Sequence, residues 1–354
     1  MSDTDVREEL RAVARALLSE GRTEPSAREP VTPAWPTLAD AGWLGLEVAE
    51  DLGGSGVTFA ETVVIAEELA RAAACTPFLG SVVLGVGALG LLERSDVRDG
   101  LLRMVTAGDV RVAVAARADE GFDPVFAVDR GRVSGRADFV ADAADAQHLL
   151  LLAHDETGAP VVVRAAREDL AVTPQPVLDE MRRFAAVAAD GVFVEPTSVL
   201  RFAGDPFTAV RRMRSRASIA VAADALGTAE AMLAATVAYA QVRRQFGRAI
   251  GSFQAVKHQC ADMLVSVTVG RELLNGAVDA FVADDTEAPR AAGRAKAYLC
   301  DAAVDVAGKA MQLHGGIGYT WESGVHLYLK RAMLDRALFG SPTTHRRRLA
   351  QRWV

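Results

Sequence analysis

Residues 242–263 read VRRQFGRAIGSFQAVKHQCADM. A cluster of arginines, an aromatic ring and glycines stands directly ahead of a helical pattern. In that pattern Phe253, Val256, Cys260, Met263, Val267 and Leu274 recur on one face. Arg243 offers a forked guanidinium for a phosphate, Phe246 a ring to stack on, and Gly247 a turn toward the next helix. A second segment, QLHGGIGY at 312–319, ends another helical pattern. There Gln312 offers an amide, while Gly315 and Gly316 let a pyrophosphate or ribose approach the backbone closely. Two such elements in one helical bundle suggest a dinucleotide held by helix ends. Taken singly, each also fits ordinary helix punctuation.

Outward from this stretch, the helical period governs residues 204–354. Ile219, Ala222, Ala223, Leu226, Leu233, Val237 and Ala240 form one stripe, and an alanine-rich helix is expected from Glu287 to His314. Small residues along the stripes allow close helix approach, which predicts a four-helix bundle with a face left for another subunit. Residues 109–203 change texture to short β-branched runs such as VRVAVAA, HLLLLA and PVVVRA between Asp, Gly and Pro turns. They predict a small antiparallel β-barrel or sandwich. Residues 1–108 are again helical: Val6, Leu10, Val13 and Leu17 share a face, EDLGGSG reads as a glycine-rich loop, and Thr58 with Glu61 forms a capping box. The fold class is therefore α+β in three domains, helical, β and helical.

Composition narrows the function. The 354 residues carry a net charge of −7, which disfavours nucleic acid and anionic membranes as partners. Cys75, Cys260 and Cys300 lie far apart and read as reduced thiols. The charged N-terminus lacks a signal-peptide core, and the apolar run from Pro77 to Leu92 is short and broken by glycines, so a cytoplasmic protein is expected. Gly85, Gly87 and Gly90 match G-x-G-x-x-G, but no βαβ unit surrounds them, and close helix packing explains them better. A carboxylate-bridged metal centre needs Glu-x-x-His pairs, which are absent, and His148, His154 and His258 stand alone. The basic runs RRMRSR (211–216) and HRRRLAQR (345–352) read as solvated helix faces, or as contacts to a phosphate-bearing ligand or an acidic partner surface.

The order helical, β, helical, together with RRQFGRAIGSFQAVKHQCADM and KAMQLHGGIGYTWESGVHLYLKRA, resembles the acyl-CoA dehydrogenase family over nearly the whole chain. LADAGWLGLEVAEDLGGSG and LDEMRRFAAVAADGVFVEP extend the likeness. The resemblance implies α,β-desaturation of an acyl-CoA thioester. A carboxylate takes the α-proton, the β-hydrogen leaves as hydride to FAD, and electron-transferring flavoprotein serves as acceptor. It also implies a dimer of dimers, with each FAD across an interface. Arg243 and Phe246 match the residues that meet the pyrophosphate and adenine side. Phe253 and Gln254 match the next contact pair, and Gln312, Gly315 and Gly316 those on the adenosine half.

The catalytic half departs from the pattern. Where the family carries its usual base Glu, in a turn near the C-terminus, this chain has Gly340 within LFGSPTT. The alternative base position, by spacing back from Arg243, falls on Ala217. The flavin-ring loop and strand are replaced by VAVAARADEGFDPV and GRADFVADAADA, with Phe139 near the tryptophan position. No catalytic residue is identified. The resemblance then implies a non-catalytic subunit that completes the FAD site of a homologous partner. A self-sufficient flavoenzyme would need a base elsewhere, Glu322 or Asp335, both of which read better as salt-bridge residues. An acyl-CoA-binding or assembly protein without redox chemistry is the third reading, and the retained RRQFG cluster argues against it.

Overall fold

The computed structural model describes residues 3–19, 31–118, 122–320 and 323–351. The first part is helical: α1 (Asp3–Ser19), α2 (Trp35–Asp40), α3 (Phe59–Arg71), α4 (Leu79–Leu89, π-wound over Leu79–Val86) and α5 (Asp96–Thr106). The Thr58–Glu61 capping box is present at the start of α3. On α1 the expected stripe is rotated: Val13 is exposed, while Ala14 and Leu18 are buried. The cause is electrostatic. Arg7, Arg11 and Arg15 turn toward Glu61, Glu67 and Glu68 of α3, at 3.0, 3.2 and 2.8 Å. Glu67 and Glu68 are almost fully buried, so α1 is held by paired charges as much as by apolar contact.

The glycine-rich segment is tightly wound, not open. A Cβ on Gly54 would lie 2.1 Å from the Val48 carbonyl oxygen. Of the G-x-G-x-x-G glycines, Gly85 and Gly87 lie in α4 and Gly90 caps it; close packing explains the first two, since a Cβ on Gly85 would meet Val112 at 2.3 Å and one on Gly87 would meet Arg216 at 2.2 Å.

The middle part holds strands β1 (Val112–Ala115), β2 (Phe126–Asp129), β3 (Arg132–Ala141), β4 (His148–His154), β5 (Pro160–Ala166), β6 (Ala171–Gln175), β7 (Phe184–Phe193) and β8 (Val199–Leu200). The sheet order is β6-β7-β3-β2-β4-β5-β8, with β1 also beside β4. The expected all-antiparallel sheet is corrected to a mixed one, because β1 and β2 both run parallel to β4. Apolar residues of β1, β3, β4, β5 and β7 form a core of their own, including Val133, Leu149, Leu151, Val163 and Val187.

Beyond the sheet come α6 (Pro206–Val242), α7 (Gln254–Val282), α8 (Ala288–His314), α9 (Val325–Ala337) and α10 (Pro342–Ala350). The short hairpin β9 (Arg244–Gln245) and β10 (Arg248–Ala249) joins α6 to α7. α6 is long and apolar enough to cross a membrane, but most of its apolar stretch is buried against α3, α7, α8 and α9. Gly227 sets its approach to α3, where a Cβ would fall 2.2 Å from the Glu67 carbonyl oxygen and 3.0 Å from the Arg71 nitrogen. Gly227→Ala is expected to force these helices apart at a cost of about 1–3 kcal/mol, read as a lower urea midpoint.

One buried carboxylate ties the three parts together. Asp224 of α6 accepts Arg331 Nε and Nη2 of α9 at 2.6 and 2.7 Å, and also Arg182 from the segment before β7. Arg331 Nη1 donates to the Ala74 carbonyl behind α3 at 3.0 Å. Burial alone would raise the Asp224 carboxyl, but Arg182 and Arg331 outweigh it and hold it below the usual range.

Candidate functional site

α6 and α8 pack directly on each other, and the hairpin after α6 turns the chain back into α7, so Val242, Phe253 and His314 reach the same end of the bundle. Tyr239 and His314 fasten that end: their rings stack with centroids 4.4 Å apart, and Tyr239 Oη reaches the His314 carbonyl at 3.4 Å. The expected direct turn at Gly247 is corrected to a hairpin. Phe246 (φ 51°) and Gly247 (φ 79°) are its two turn residues, both left-handed, as a two-residue turn that matches strand twist demands. The turn lifts Phe246 to the tip, where it is 92% exposed and touches Phe253 edge-on, centroids 6.1 Å apart. Arg248 lies over the other side of Phe253, 4.1 Å from its centroid.

This end carries unspent positive charge. Among the described residues no carboxylate pairs with Arg243, Arg244 or Arg248, and α7 begins at Phe253 with no side-chain cap on its first N–H groups. An uncapped helix start beside free guanidiniums is a ready anion site. Gln254 is exposed in the first turn of α7. Gln312, Gly315 and Gly316 are exposed at the end of α8, and Gly315 (φ 64°, ψ −144°) has a backbone that only glycine adopts readily. The structure thus brings Arg243, Phe246, Phe253, Gln254, Gln312, Gly315 and Gly316 to one end of the bundle.

The positions implied for a base lie elsewhere, in a closed interior. Ala217 is fully buried on α6, and Gly340 (φ 97°) follows the buried Phe339. Phe339 N–H donates to the Ala118 carbonyl at 2.7 Å, and its ring packs on Phe122, centroids 5.8 Å apart. Phe122, after β1, and Phe339, before α10, thus pack their aromatic rings on each other. Asp123 beside Phe122 is taken by Arg214 at 2.5 Å. Phe139 stands apart on a bulge of β3 with φ 54°, half-exposed, its N–H held by Gln175 Oε1 at 2.6 Å.

Asp335, the other carboxyl the sequence offers as a base, lies deep in the interior. It is fully buried on α9, and its carboxyl oxygens meet no donor among the described residues. The expected salt bridge is corrected: burial, then the Asp224 carboxylate beside it, push this carboxyl well above the ordinary range and keep it protonated. Because the folded state holds this proton, stability falls as pH rises from the unfolded carboxylate value of about 4 toward the raised folded value. Asp335→Asn is expected to raise the melting temperature more at pH 8 than at pH 5. Glu322 lies outside the described residues. Among the described residues no group of three His, Cys, Asp or Glu side chains is placed to hold a metal.

Members of the basic runs take different places in the structure. Arg216 is buried and pairs bidentately with Glu47, at 2.7 and 2.5 Å, over the Phe59 ring. Other members of both runs converge on one groove, which no local pattern signalled.

Comparison with known proteins agrees with the architecture. Residues 2–96 match the acyl-CoA dehydrogenase N-terminal domain and residues 207–354 its C-terminal domain. The chain is 30% identical to the acyl-CoA dehydrogenase IpdE2 of Mycolicibacterium smegmatis, across 89% of this chain and 86% of that one. It is 33% identical to IpdE2 of Mycobacterium tuberculosis, across 89% and 85%. Among solved structures, the ChsE4-ChsE5 complex from Mycobacterium tuberculosis superposes with a TM-score of 0.88 at 26% identity, covering 99% of this chain and 98% of that one. With both terminal domains matched and close relatives aligned nearly end to end, this chain belongs to the acyl-CoA dehydrogenase family.

Proposed function

We propose that this chain is the non-catalytic subunit of a heteromeric acyl-CoA dehydrogenase, completing from the adenosine side an FAD site whose reacting ring and base lie in a homologous partner. The observation that carries the reading is the contrast between its two halves. One end of the bundle offers unpaired guanidiniums, an uncapped helix start and an exposed aromatic ring. The place for a base offers Gly340 and Ala217, both buried, with Phe339 beside Gly340 packed on Phe122.

FAD is the family's cofactor, and when bound it accepts the hydride from the β-carbon of the acyl-CoA. The residues at the bundle end fit its adenosine diphosphate portion. Arg243 and the first N–H groups of α7 would neutralise the diphosphate. Phe246 and Phe253 would supply apolar faces, and Gln312 with the Gly315–Gly316 backbone would take the adenosine polar edge. Removal of the α-proton falls to a carboxylate of the partner, since no side chain at Ala217 or Gly340 can accept one. Electron-transferring flavoprotein is the proposed acceptor. The subunit pairing of ChsE4 with ChsE5 in a related structure supports a heteromeric assembly.

Flavin stoichiometry tests the proposal. Co-expressed with a homologous dehydrogenase chain, the complex is expected to hold one FAD per heterodimer. Full turnover with one FAD per chain in the isolated protein overturns it.

A further inference from the structure

A cavity of about 340 Å³ opens where loop 47–52, the start of α3, the ends of α4 and α7, the middle of α5 and the first turns of α6 meet. Leu52, Val86, Leu102 and Met213 give it an apolar wall. Its charges are unequal. Arg98, Arg212 and Arg216 line it together with one carboxylate, Glu47.

Two of these guanidiniums are held by stacking. Arg216 lies over the Phe59 ring at 4.0 Å, Phe59 tilts against Phe281 with centroids 5.0 Å apart, and Arg212 lies over Phe281 at 4.3 Å. A run of guanidinium, ring, ring and guanidinium thus fixes both charges at the wall, leaving little side-chain freedom to lose on binding. Glu47 commits both oxygens to Arg216, at 2.7 and 2.5 Å, and accepts the Thr62 hydroxyl at 2.6 Å. The other two arginines depend on acids outside the cavity. Asp99 holds Arg98 at 2.6 Å but also serves Arg94, and Asp284, which reaches Arg212, stands in solvent with its side chain 84% exposed. Arg98 Nε donates to the Leu89 carbonyl at 3.0 Å and its Nη1 to Asp99, which leaves Nη2 without an acceptor among the described residues on a side chain only 13% exposed. Arg212 likewise engages Asp284 through Nη1 alone.

We infer that this cavity binds a small carboxylic acid with an apolar body. A planar, singly charged headgroup matches the forked donors that Arg98 and Arg212 keep, and the wall takes the hydrocarbon. A phosphate dianion fits worse, because its second charge would face Glu47. The cavity is not the flavin end of the bundle: Arg216 and Val242 are 26 residues apart on α6, roughly 39 Å at 1.5 Å per residue. Nor is it the groove that gathers both basic runs. With about 3.6 residues per turn, Arg212, Met213 and Arg216 face away from Arg211, Arg214 and Ser218. The inference therefore stands whether or not the flavin proposal does.

Isothermal titration calorimetry of the full-length chain at low salt tests it, with phenylbutyrate and the uncharged phenylbutanol as probes. Saturable binding of phenylbutyrate is expected, with the alcohol about tenfold weaker or more because it brings no charge to the guanidiniums. Arg98→Gln with Arg212→Gln should weaken phenylbutyrate about ten- to a hundredfold, the range for losing charge-assisted bonds, with an unchanged circular dichroism spectrum. Gly90→Phe should abolish binding by filling the space. Gly90 lines the cavity and a Cβ there meets nothing closer than 3.4 Å, so the fold tolerates the side chain. Arg130→Gln, an exposed control, should leave binding unchanged. The inference is overturned if phenylbutyrate does not bind saturably or if the alcohol binds as tightly. It is equally overturned if binding survives either the double substitution or Gly90→Phe.

Discussion

Asp224→Asn is expected to destabilise the fold by about 3–5 kcal/mol, the cost of leaving buried guanidiniums without their counter-charge. Arg331 is 1% exposed and Arg182 nearly as enclosed, so neither can turn to water when the carboxylate goes. The loss should appear as a lower urea midpoint near neutral pH. Asp335 makes the prediction sharper. In the native protein it stays protonated because it is buried beside the Asp224 carboxylate. Once Asp224 is neutral, the same arginines favour its ionisation, and it can take over part of the pairing. Asp335→Asn should therefore stabilise the native protein but destabilise the Asp224→Asn variant. A double-mutant cycle reads that reversal of sign directly. Simple additivity would show that the two carboxyls do not share the arginines.

Arg243→Ala is expected to strip FAD from the co-purified heteromer, weakening its binding about ten- to a hundredfold. The argument rests on a guanidinium that no carboxylate engages among the described residues, beside a helix start with no cap. Flavin absorbance per heterodimer after gel filtration gives the measurement. The midpoint of urea unfolding for this chain should hardly move, because the Arg243 side chain is exposed. Undiminished FAD content in the variant would remove the diphosphate from this end of the bundle.

Several features were legible in the sequence because they are local. The capping box at Thr58 and Glu61, the span of α8, and the glycines that tighten α4 depend on neighbours within a few residues. The two motifs around Arg243 and Gly315 carried the family and, through it, the domain order. Their meeting at one end of the bundle was also foreseeable, since three long antiparallel helices must bring alternate termini together. Other readings missed where a distant partner intervened. Spacing puts Val13 in the core, yet the α1 arginines pair with buried glutamates on α3 and turn that residue to solvent. The sheet was read as antiparallel because alternation along a strand reports which face is buried and not which neighbour it pairs with. β1 and β2 run parallel to β4.

The sequence by itself puts Gly340 and Ala217, neither of which can accept a proton, at the positions where the family resemblance implies a base, and the proposal of a partner-supplied base rests on that. It also determined the family, since side-chain types at fixed spacing survive whatever the tertiary packing does. Only the tertiary structure decided that Phe122 and Phe339, from segments more than two hundred residues apart, pack on each other beside Gly340. It alone decided that Asp335 is buried beside the Asp224 carboxylate, which pushes its carboxyl well above the ordinary range, because a carboxyl's charge depends on burial and on the charges around it. And it alone brought members of the two basic runs to one groove, because what lies across space is set by packing, where sequence spacing carries no information.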